Sequence, residues 1–504
     1  MGDAPHFRIG TRGSDLARWQ AHYVRDLIES RGGTCDIQIL STQGDREQVQ
    51  AFEKLEGKGF FTKEIEQALL DHTVDLAVHS HKDLETRQPD GLTIAAVPVR
   101  AAAQDVLLIR REARKHRPWL PLGLGATVGT SSVRRRDQLL LLRPDLEIQA
   151  LRGNVPTRID RLREGRYDAI VLAAAGLDRL ELDLSDLVRL DLDPRHFVPA
   201  PAQGALALQM REGDPKLDWL RGLSDAKTAT DIESERAILR ALEGGCQLPF
   251  GAHVRSYGGL RAFLQTPSGP RRIVASDSAS ALDQLQEAPR ARRILITRAP
   301  KEDVLHRLAA SSGDTLLEWS GNVLTATGAP GPDVTCNWVW LTSPGAATVA
   351  AAWIRQHDGL RIAAAGPGTA ESISDDLMAR VHHIGDGDPL ASWAAFSANR
   401  THGDHIAIPH STLSKRRWDT GQDTPFAVHP WPAYSAEPRL EPAPDADVVC
   451  FTSPSNVRHW SGDPPARVVA IGPTTSDALS QRGWAHATAE HPDAFGMWEA
   501  IQAG

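Results

Sequence analysis

The sequence predicts an α/β protein made of several domains. Short apolar strands alternate with amphipathic helices from residue 6 onward, a pattern typical of layered α/β domains. A chain of 504 residues is too long for one hydrophobic core. The C-terminal part also contains an internal repeat. These observations predict an α/β region at each end of the chain, with smaller elements between them.

The first α/β region opens with the strand "HFRIGT", followed by the helix "SDLARWQAHYVRDLIESRGG", for which Ser14 is the expected N-cap. Next come the strand "CDIQIL" and the helix "TKEIEQALLDHT", with Leu69 and Leu70 expected on its buried side. The buried strand "VDLAVHS" then ends at His79–Asp83. We expect a mostly parallel sheet, in which ligands collect at the carboxyl ends of the strands. This places Lys82 and Asp83 at a candidate site.

A second α/β region begins near Val106. It alternates "ATVGTSS", the helix "VRRRDQLLLLRP", "LEIQALRGN", the helix "PTRIDRLREG" and the buried strand "DAIVLAAAGLDRL". The helix "DIESERAILRALEGG" then leads to Cys246. "AHVRSY", "GLRAFLQT" and "RRIVASD" are expected to be antiparallel strands of a small third domain. The stretch "ALDQLQEAPRARR" is interpreted as a tether.

The remaining sequence repeats one supersecondary unit. "WLTSPGAATV" resembles "CFTSPSNVRHW", and "IAAAGPGTAESI" resembles "VVAIGPTTSDAL". Two copies of a strand, a turn and a helix start predict two similar lobes with a cleft between them.

Composition excludes several classes of protein. The net charge of −8 argues against a nucleic-acid binder driven by overall charge. The four cysteines are scattered and form no C-x-x-C pair, so we expect no metal site and no disulfide framework. No apolar run predicts a membrane span or a signal peptide, and a reducing cytoplasm fits this composition.

Positively charged residues follow several of the predicted strands. Arginines at a helix start oppose the helix macrodipole, as in "SSVRRRDQ", and such a local violation is expected at a functional site. Guanidinium groups there suit carboxylates or phosphates, although a solvated basic face is the alternative. The residues concerned are Arg12, Lys82, Arg134, Arg135, Arg152 and Arg158.

Each of two further residues has two interpretations, one functional and one structural. Asp83 lies among cations and can stabilise a cationic intermediate, or it can be a simple helix cap or ion pair with Lys82. Cys246 lies in the glycine-flanked turn "EGGCQLPFG". It is either a small buried hydrophobe or a nucleophile, ligand or covalent anchor.

In the C-terminal repeat, the hydroxyl residues at the helix starts have two interpretations. They can cap their helices, or the helix starts can together form an uncharged cradle for a polyanion. Tyr434 is either a packing residue at a lobe boundary or a donor in the cleft. The cradle candidates are Ser343, Thr369, Thr452, Ser453 and Thr475.

Several stretches resemble a known family. "RIGTRGSDLARWQA", "GKGFFTKEIEQALL", "DLAVHSHKDLE", "VGTSSVRRRDQL", "LRGNVPTRIDRL", "YDAIVLAAAGLDRL" and "LEGGCQLPFGA" resemble porphobilinogen deaminase, also called hydroxymethylbilane synthase. "ILITRA", the paired T-S-P and G-P-x-T segments and "YSAEP" resemble uroporphyrinogen-III synthase. These resemblances imply a bifunctional enzyme of tetrapyrrole biosynthesis with porphobilinogen and hydroxymethylbilane as its substrates.

The resemblance also implies roles for individual residues. Cys246 would carry a dipyrromethane cofactor through a thioether, and Asp83 would be the catalytic aspartate. Lys82, Ser131, Arg134 and Arg135 would bind the cofactor. Arg12, Ser14, Arg152, Arg158 and Gln203 would bind the substrate. Ala202 stands where many family members have glycine, which is expected to stiffen the return into the first domain.

The implied fold has two periplasmic-binding-protein-like lobes, a small α+β domain and a two-lobed α/β synthase half. The expected boundaries are 1–103 with 200–221 for deaminase domain 1, 104–199 for domain 2, 222–288 for the anchoring domain, 289–293 for a linker, 294–325 with 436–504 for synthase lobe 1, and 326–435 for lobe 2. We expect a monomer. Two alternatives remain, a deaminase with a non-catalytic or regulatory C-terminal module and a two-lobed solute-binding protein.

Overall fold

The computed structural model describes residues 4–40, 62–242, 248–256, 258–287, 291–412, 414 and 425–503. The chain divides into two compact units, Met1–Ala113 with Gly125–Glu287 and Arg114–Leu124 with Ala288–Gly504. The short stretch Arg114–Leu124 thus groups with the second unit in this division. In the part of the chain that is described, no helix is long and apolar enough to cross a membrane.

The strands of the first unit form three sheets. They are β1 (His6–Arg12), β2 (Thr34–Leu40), β3 (Leu76–Ser80), β4 (Leu92–Ala96), β5 (Asp105–Arg110), β6 (Thr127–Gly129), β7 (Glu147–Gln149), β8 (Ala169–Ala173), β9 (Leu187–Leu192), β10 (Leu206–Arg211), β11 (Phe250–Val254), β12 (Leu260–Thr266) and β13 (Gly269–Ala275). The sheet orders are β2-β1-β3-β10-β4, β7-β6-β8-β5-β9 and β11-β12-β13.

The helices of the first unit are α1 (Asp15–Ser30), α2 (Lys63–Leu70), α3 (Val133–Leu142), α4 (Val155–Arg163), α5 (Ala174–Leu180), α6 (Leu217–Arg221), α7 (Ala226–Ala241) and α8 (Ser278–Gln286). Ser14 caps α1 as predicted, since its hydroxyl accepts a hydrogen bond from the backbone N–H of Ala17. One predicted packing position is wrong. Leu69 is buried, but Leu70 is 39% exposed because it lies one residue, about 100° of helix rotation, beyond the Ile65–Leu69 face.

The prediction of a mostly parallel sheet holds for four of the five strands in each of the first two sheets, and one strand in each sheet is reversed. β1 is parallel to β2 and β3, but β10 is antiparallel to both of its neighbours. In the second sheet, β6 is parallel to β7 and β8, whereas β5 is antiparallel to β8 and β9. In the first sheet the chain leaves after β4 and returns as the reversed strand β10, whereas in the second sheet the reversed strand is the first one, β5.

The third sheet is antiparallel, as the sequence predicts. The predicted tether, however, begins as a helix. Asp277 caps α8 by accepting a hydrogen bond from the N–H of Ser280, and Ala281 and Leu285 are buried one turn apart. This short apolar stripe gives the segment a packing surface that a tether lacks.

The second unit contains two further sheets. Its strands are β14 (Arg293–Ile296), β15 (Thr315–Glu318), β16 (Asn322–Ala326), β17 (Trp338–Leu341), β18 (Arg361–Ala364), β19 (Val381–Ile384), β20 (His405–Ser411), β21 (Ala427–Pro438), β22 (Val448–Phe451), β23 (Val468–Ala470) and β24 (Ala487–Thr488). The orders are β15-β14-β22-β23-β24 and β16-β21-β20-β17-β18-β19. All their pairs are parallel except β16 with β21.

The helices of the second unit are α9 (Val304–Ser311), α10 (Pro344–Arg355), α11 (Pro367–Ala370), α12 (Asp375–Met378), α13 (Pro389–Ser397), α14 (Pro454–Arg458), α15 (Pro473–Gln481) and α16 (Ala494–Gln502). The repeat predicted from sequence is present. Each T-S-P segment lies between a buried strand and a helix, β17–α10 in one copy and β22–α14 in the other, and so does each G-P-x-T segment. Both sheets therefore present helix starts at their carboxyl edges.

Candidate active sites

The first candidate site begins where β3 ends. Lys82 and Asp83 lie in the short 3₁₀ turn His81–Asp83, in which Asp83 is exposed and Lys82 is half-buried. Nζ of Lys82 donates a hydrogen bond to Oε1 of Gln203 at 3.2 Å. Burial lowers the pKa of Lys82 to about 8. The turn therefore combines an exposed carboxylate with a cation that titrates near neutral pH.

The two reversed strands explain why residues distant in sequence meet at this turn. Leu206, the first residue of β10, pairs with Ser80, the last residue of β3. In the second sheet, Asp105 begins β5 and pairs with Ala173 at the end of β8. An antiparallel strand starts where its parallel neighbours end, so Gln203 and Asp105 both lie at carboxyl edges.

Asp105 is the centre of a buried charge cluster. Its Oδ2 lies 2.9 Å from Nη1 of Arg134, and its Oδ1 lies 2.6 Å from Nη2 of Arg135. Nε2 of Gln203 also donates to Oδ1, at 3.0 Å. Burial alone would raise the pKa of Asp105, but the two arginines hold it well below its usual range. Asp105 therefore stays ionised and fixes both guanidinium groups.

The other residues predicted from sequence lie around this cluster. Arg158 is half-buried, and burial lowers its pKa to about 10, with Asp83 opposing that change. Its Nε donates to the carbonyl of Gly153 at 2.6 Å. Oγ of Ser131 donates to the carbonyl of Leu151 at 2.8 Å, so Ser131 holds the loop that carries Arg152.

Arg12 and Ser14 lie at the same carboxyl edge of the first sheet as the Lys82–Asp83 turn, because β1 is parallel to β3 and pairs with it. Arg12 is the last residue of β1, and its charge contributes to lowering the pKa of His79. The Ser14 hydroxyl is used as the cap of α1. The structure thus places these two residues beside the end of β3, and their role in substrate binding stays a prediction.

The donor set of the first site fits a ligand with several carboxylates. The cations Lys82, Arg134, Arg135 and Arg158 outnumber the carboxylates Asp83 and Asp105. A site whose cations outnumber its carboxylates favours a ligand that brings its own carboxylates, which guanidinium and ammonium groups bind through charge-assisted hydrogen bonds. A dipyrromethane bearing acetate and propionate groups is such a ligand, so the residues present fit this cofactor.

Cys246 and Gln247 lie outside the described residues. The three other cysteines are shielded, since Cys35 is half-buried and Cys336 and Cys450 are buried. Burial raises the pKa of Cys35 and Cys336 to about 11 and that of Cys450 to about 12. Thiols of this kind are poor nucleophiles at neutral pH.

The second candidate site is a cleft of about 1660 Å³ in the second unit. Residues from all four repeated helix starts line it, among them Ser343, Gly366, Ser453 and Thr474. Tyr434 also lines it, although its side chain is largely buried. The cleft thus brings together hydroxyl groups and helix starts that the sequence analysis selected.

Tyr434 and Ser343 form the polar centre of this cleft. Their hydroxyl oxygens are 3.1 Å apart. Burial raises the pKa of Tyr434, and the hydrogen bond to Ser343 opposes this. A Cβ atom on Gly345 would come within 3.6 Å of the Tyr434 ring and 2.9 Å of Leu324, so glycine keeps the space beside the phenol open.

The remaining hydroxyl candidates differ in their positions. Ser343 and Ser453 cap their helices through the N–H groups of Ala346 and Asn456. Thr452 lines the cleft, but its hydroxyl donates to the carbonyl of Thr297 at 2.6 Å.

The two threonines of the G-P-x-T segments are not caps, because Gly366 and Gly472 occupy the N-cap positions. Thr369 lines the cleft but is mostly buried. Thr475 is 1% exposed and does not line it, whereas its neighbour Thr474 does.

Most charges in the cleft wall are paired within the protein. Arg298 contacts Asp303 and Glu318, each at 2.7 Å. Lys301 contacts Glu371 at 2.7 Å, and Arg439 contacts Glu441 at 2.9 Å. Among the described residues of the cleft wall, the exposed Arg458 at the end of α14 is the cation without an ion-pair partner.

Sequence reasoning did not find Asp105, Arg458 or Glu371. Asp105 had a visible signal, since it is a charged residue at the start of the apolar run "DVLLI". It was missed because a mostly parallel sheet would have put the start of that strand far from the site. Neither Arg458 nor Glu371 has a distinguishing local pattern.

Comparisons with known proteins assign a family to each half of the chain. The family model described as porphobilinogen deaminase, dipyromethane cofactor binding domain, matches residues 7–218. The porphobilinogen deaminase C-terminal domain matches 229–287, and uroporphyrinogen-III synthase HemD matches 329–499.

Similar proteins include a porphobilinogen deaminase of Nitratidesulfovibrio vulgaris strain DP4, 44% identical over 55% of this chain and 89% of that protein. That of Oceanobacillus iheyensis is 39% identical over 59% of this chain and 96% of that protein. The uroporphyrinogen-III synthetase structure of Helicobacter pylori is 12% identical, with a TM-score of 0.29, and covers 42% of this chain and 98% of that one. At that TM-score it adds nothing to the fold assignment.

The fold and the first site define an α/β protein with a cation-rich site at the carboxyl edges of its sheets. The chain belongs to the porphobilinogen deaminase family and carries a uroporphyrinogen-III synthase domain after the deaminase domains. It is thus a bifunctional enzyme of tetrapyrrole biosynthesis with pyrrole substrates and a dipyrromethane cofactor.

Proposed function

We propose that the first unit joins four porphobilinogen molecules into hydroxymethylbilane, with loss of ammonia from each. The second unit then closes the chain to uroporphyrinogen III while inverting the last ring. The observation that carries the first activity is the Asp105 cluster beside the exposed Asp83. We further propose that the enzyme is a monomer of the cytoplasm.

In this proposal, the cations of the first site bind carboxylates. Lys82, Arg134 and Arg135 hold those of the cofactor, while Arg152 and Arg158 receive those of the growing chain. Arg134 and Arg135 are suited to this because Asp105 already orders their guanidinium groups. Arg12, Ser14, Ser131 and Gln203 complete the binding set.

Asp83 supplies the electrostatic stabilisation. When porphobilinogen loses ammonia, the C–N bond of its aminomethyl group breaks and leaves a cationic pyrrole. An exposed carboxylate at the end of β3 can accept a hydrogen bond from the pyrrole N–H and stabilise this cation. The bound dipyrromethane supplies the free pyrrole carbon to which the first substrate unit is joined.

Cys246 is the proposed cofactor anchor. Burial raises the pKa of the three described thiols, which disfavours them as anchors. The mass of the intact chain should exceed that of the sequence by two linked pyrrole units. The Cys246→Ser variant should lack this increment, and an active wild-type chain without it would contradict the proposal.

Asp83→Asn tests the catalytic role. The variant should fold and keep the added mass, because Asp83 is exposed and outside the Asp105 cluster. Its turnover of porphobilinogen should fall by roughly 100-fold or more, the typical cost of removing one stabilising group from a reacting centre. Near-normal turnover in the cofactor-loaded variant would refute the assignment.

In the second unit, Tyr434 is proposed to assist departure of the terminal hydroxyl of hydroxymethylbilane. Its raised pKa keeps the phenol protonated, so that it can donate a hydrogen bond to the leaving oxygen. Ser343, Thr369, Thr452 and Ser453 form the surrounding cradle, and Thr475 supports it from the buried side of α15. Arg458 supplies an unpaired cation for a substrate carboxylate.

A further inference from the structure

Arg236 is a buried arginine that the reaction described above does not use. It lies on α7, the helix that leads toward Cys246, and is 4% exposed. Its guanidinium reaches the turn that carries Lys82 and Asp83. Nη1 donates to the carbonyl of His81 at 3.0 Å, and Nη2 donates to the carbonyls of Leu84 and Glu85 at 3.2 and 2.6 Å.

These three carbonyls lie on both sides of the catalytic pair. His81 precedes Lys82, and Leu84 directly follows Asp83. Because both ends of the turn bind one rigid planar group, the backbone between them has little freedom to rotate. The N–H of His81 donates to the carbonyl of Ala205 at 3.0 Å, which fixes the same turn from β10.

The residue beside Arg236 reaches the partner of Lys82. Glu235 is buried and receives two hydrogen bonds from Arg100, at 2.7 and 2.9 Å. Nε of Arg100 donates to the carbonyl of Gln203 at 2.7 Å, and Gln203 accepts from Lys82. Two neighbouring residues of α7 thus connect this helix to the catalytic pair. Arg236 binds the backbone on both sides of the pair, and Glu235 is linked to Lys82 through Arg100 and Gln203.

We infer that Arg236 is a positioning residue for the deamination reaction, because it fixes the Lys82–Asp83 turn relative to the helix that leads to the cofactor anchor. This inference rests on the proposed role of Asp83. A carboxylate that must contact a pyrrole N–H in the transition state loses its effect when it is displaced by about 1 Å. The position of Asp83 therefore depends on a helix from another part of the unit.

The alternative is that Arg236 only satisfies buried carbonyl groups, a requirement of every folded protein. The two roles differ in what they predict for folded, cofactor-loaded protein. A structural residue changes stability alone, whereas a positioning residue changes kcat in molecules that are fully folded and loaded. The experiment therefore compares kcat per loaded molecule.

The test uses the full chain with Arg236→Gln and Arg236→Lys. Arg211→Gln is the matched control, because Nη1 of Arg211 also donates to two carbonyls, those of Leu69 and Val74, at 2.6 and 2.7 Å. Arg236→Gln should keep its cofactor mass yet lose roughly 10- to 100-fold in kcat, with a smaller change in KM. Arg236→Lys should recover part of the loss. Arg211→Gln should melt earlier with an unchanged kcat per loaded molecule.

A double variant shows whether Arg236 acts through Asp83. If it does, Asp83→Asn with Arg236→Gln should be no slower than Asp83→Asn alone. Any of three results would overturn the inference. The first is a double variant whose loss in kcat equals the product of the two single losses, and the second is a kcat within about twofold of wild type in loaded Arg236→Gln. The third is an equal loss of kcat in Arg211→Gln. Should Arg236→Gln fail to fold, Arg236→Lys takes its place in both comparisons. Normal turnover by Asp83→Asn alone would instead refute the proposed function.

Discussion

Asp105 orders the two arginines of the first unit that are proposed to bind the cofactor. Arg134 and Arg135 sit in the first turn of α3, where the helix macrodipole opposes their charge, and a buried carboxylate compensates for this. The sequence predicted the arginines from that local conflict. It did not predict Asp105, because the compensating residue lies on a strand whose direction was assumed wrongly.

Lys82 gives the first site a pH dependence. Its folded pKa of about 8 lies below the 10.5 of a free lysine. Between these values the folded chain binds fewer protons than the unfolded chain, so this group makes the free energy of unfolding rise with pH across that window. Under the proposed role of Lys82, carboxylate binding changes in the opposite direction, because Lys82 loses its charge above about pH 8.

Cofactor loading of the apoprotein should therefore slow as the pH rises through about 8. The rate at which the added mass appears after porphobilinogen is supplied measures this. Lys82→Gln should load slowly at every pH and show no such step. The role of Lys82 would be contradicted by a wild-type loading rate that does not change with pH. A decrease near pH 8 that persists in Lys82→Gln would contradict it as well.

Tyr434 makes a separate prediction for the second unit. Tyr434→Phe should slow ring closure by roughly 10- to 1000-fold, since it removes the hydroxyl that donates to the leaving group. Hydroxymethylbilane would then cyclise spontaneously, and the share of type I porphyrin should rise. Ser343→Ala keeps the phenol and should have a smaller effect. An unchanged isomer ratio in Tyr434→Phe would remove Tyr434 from the mechanism.

At the scale of elements, the turn that precedes β10 contains two residues with left-handed backbone. Ala202 has φ of +61°, and Gly204 has φ of +86°. A Cβ on Gly204 would lie 2.5 Å from the carbonyl oxygen of Ala101, so only glycine fits there. Ala202 is buried and tolerates the conformation, with its N–H donating to Glu235 at 2.8 Å.

Replacing these two residues should have unequal effects. Ala202→Gly relieves about 1 kcal/mol of left-handed strain and loses a similar amount in chain entropy, so the free energy of unfolding should change little. Gly204→Ala should lower it by about 2 kcal/mol or more, because strain and a backbone clash add. Urea unfolding of both variants measures the difference. Equal destabilisation by the two would show that the turn is not constrained in this way.

The elements themselves were largely predictable, and the exceptions have physical reasons. Alternating strands and helices, the Ser14 cap and the internal repeat follow from local patterns that the structure reproduces. The one reversed strand in each of the first two sheets does not, because β5 and β10 pair with strands that are distant in sequence. The α8 helix was missed because its apolar stripe consists of only two well-buried residues, Ala281 and Leu285.

The two units differ in how they present charge to their ligands. The first concentrates cations around one buried carboxylate, which suits a covalently held chain whose carboxylates must be bound as it grows. The second lines a large cleft with hydroxyl groups and internally paired ions. Such a wall can bind the substrate carboxylates while the ring at the reacting end is inverted. The lobe and domain boundaries expected from sequence stay predictions.

Two sites in one chain should act in succession, and each can be inactivated separately. Asp83→Asn should abolish porphyrin formation from porphobilinogen but retain type III formation from added hydroxymethylbilane. Tyr434→Phe should still consume porphobilinogen while its product shifts toward type I. Both variants can be examined in the same isomer analysis, which separates failure of one site from failure of the whole chain.

The central claim is that one chain carries out both steps, and isomer analysis of the full chain tests it most directly. The purified chain is supplied with porphobilinogen alone, and the products are oxidised to porphyrins and separated by isomer. We predict mainly the type III isomer, because the second unit inverts the last ring before spontaneous closure occurs. Rapid porphobilinogen consumption that yields only type I would contradict the claim and leave the C-terminal half as a non-catalytic module.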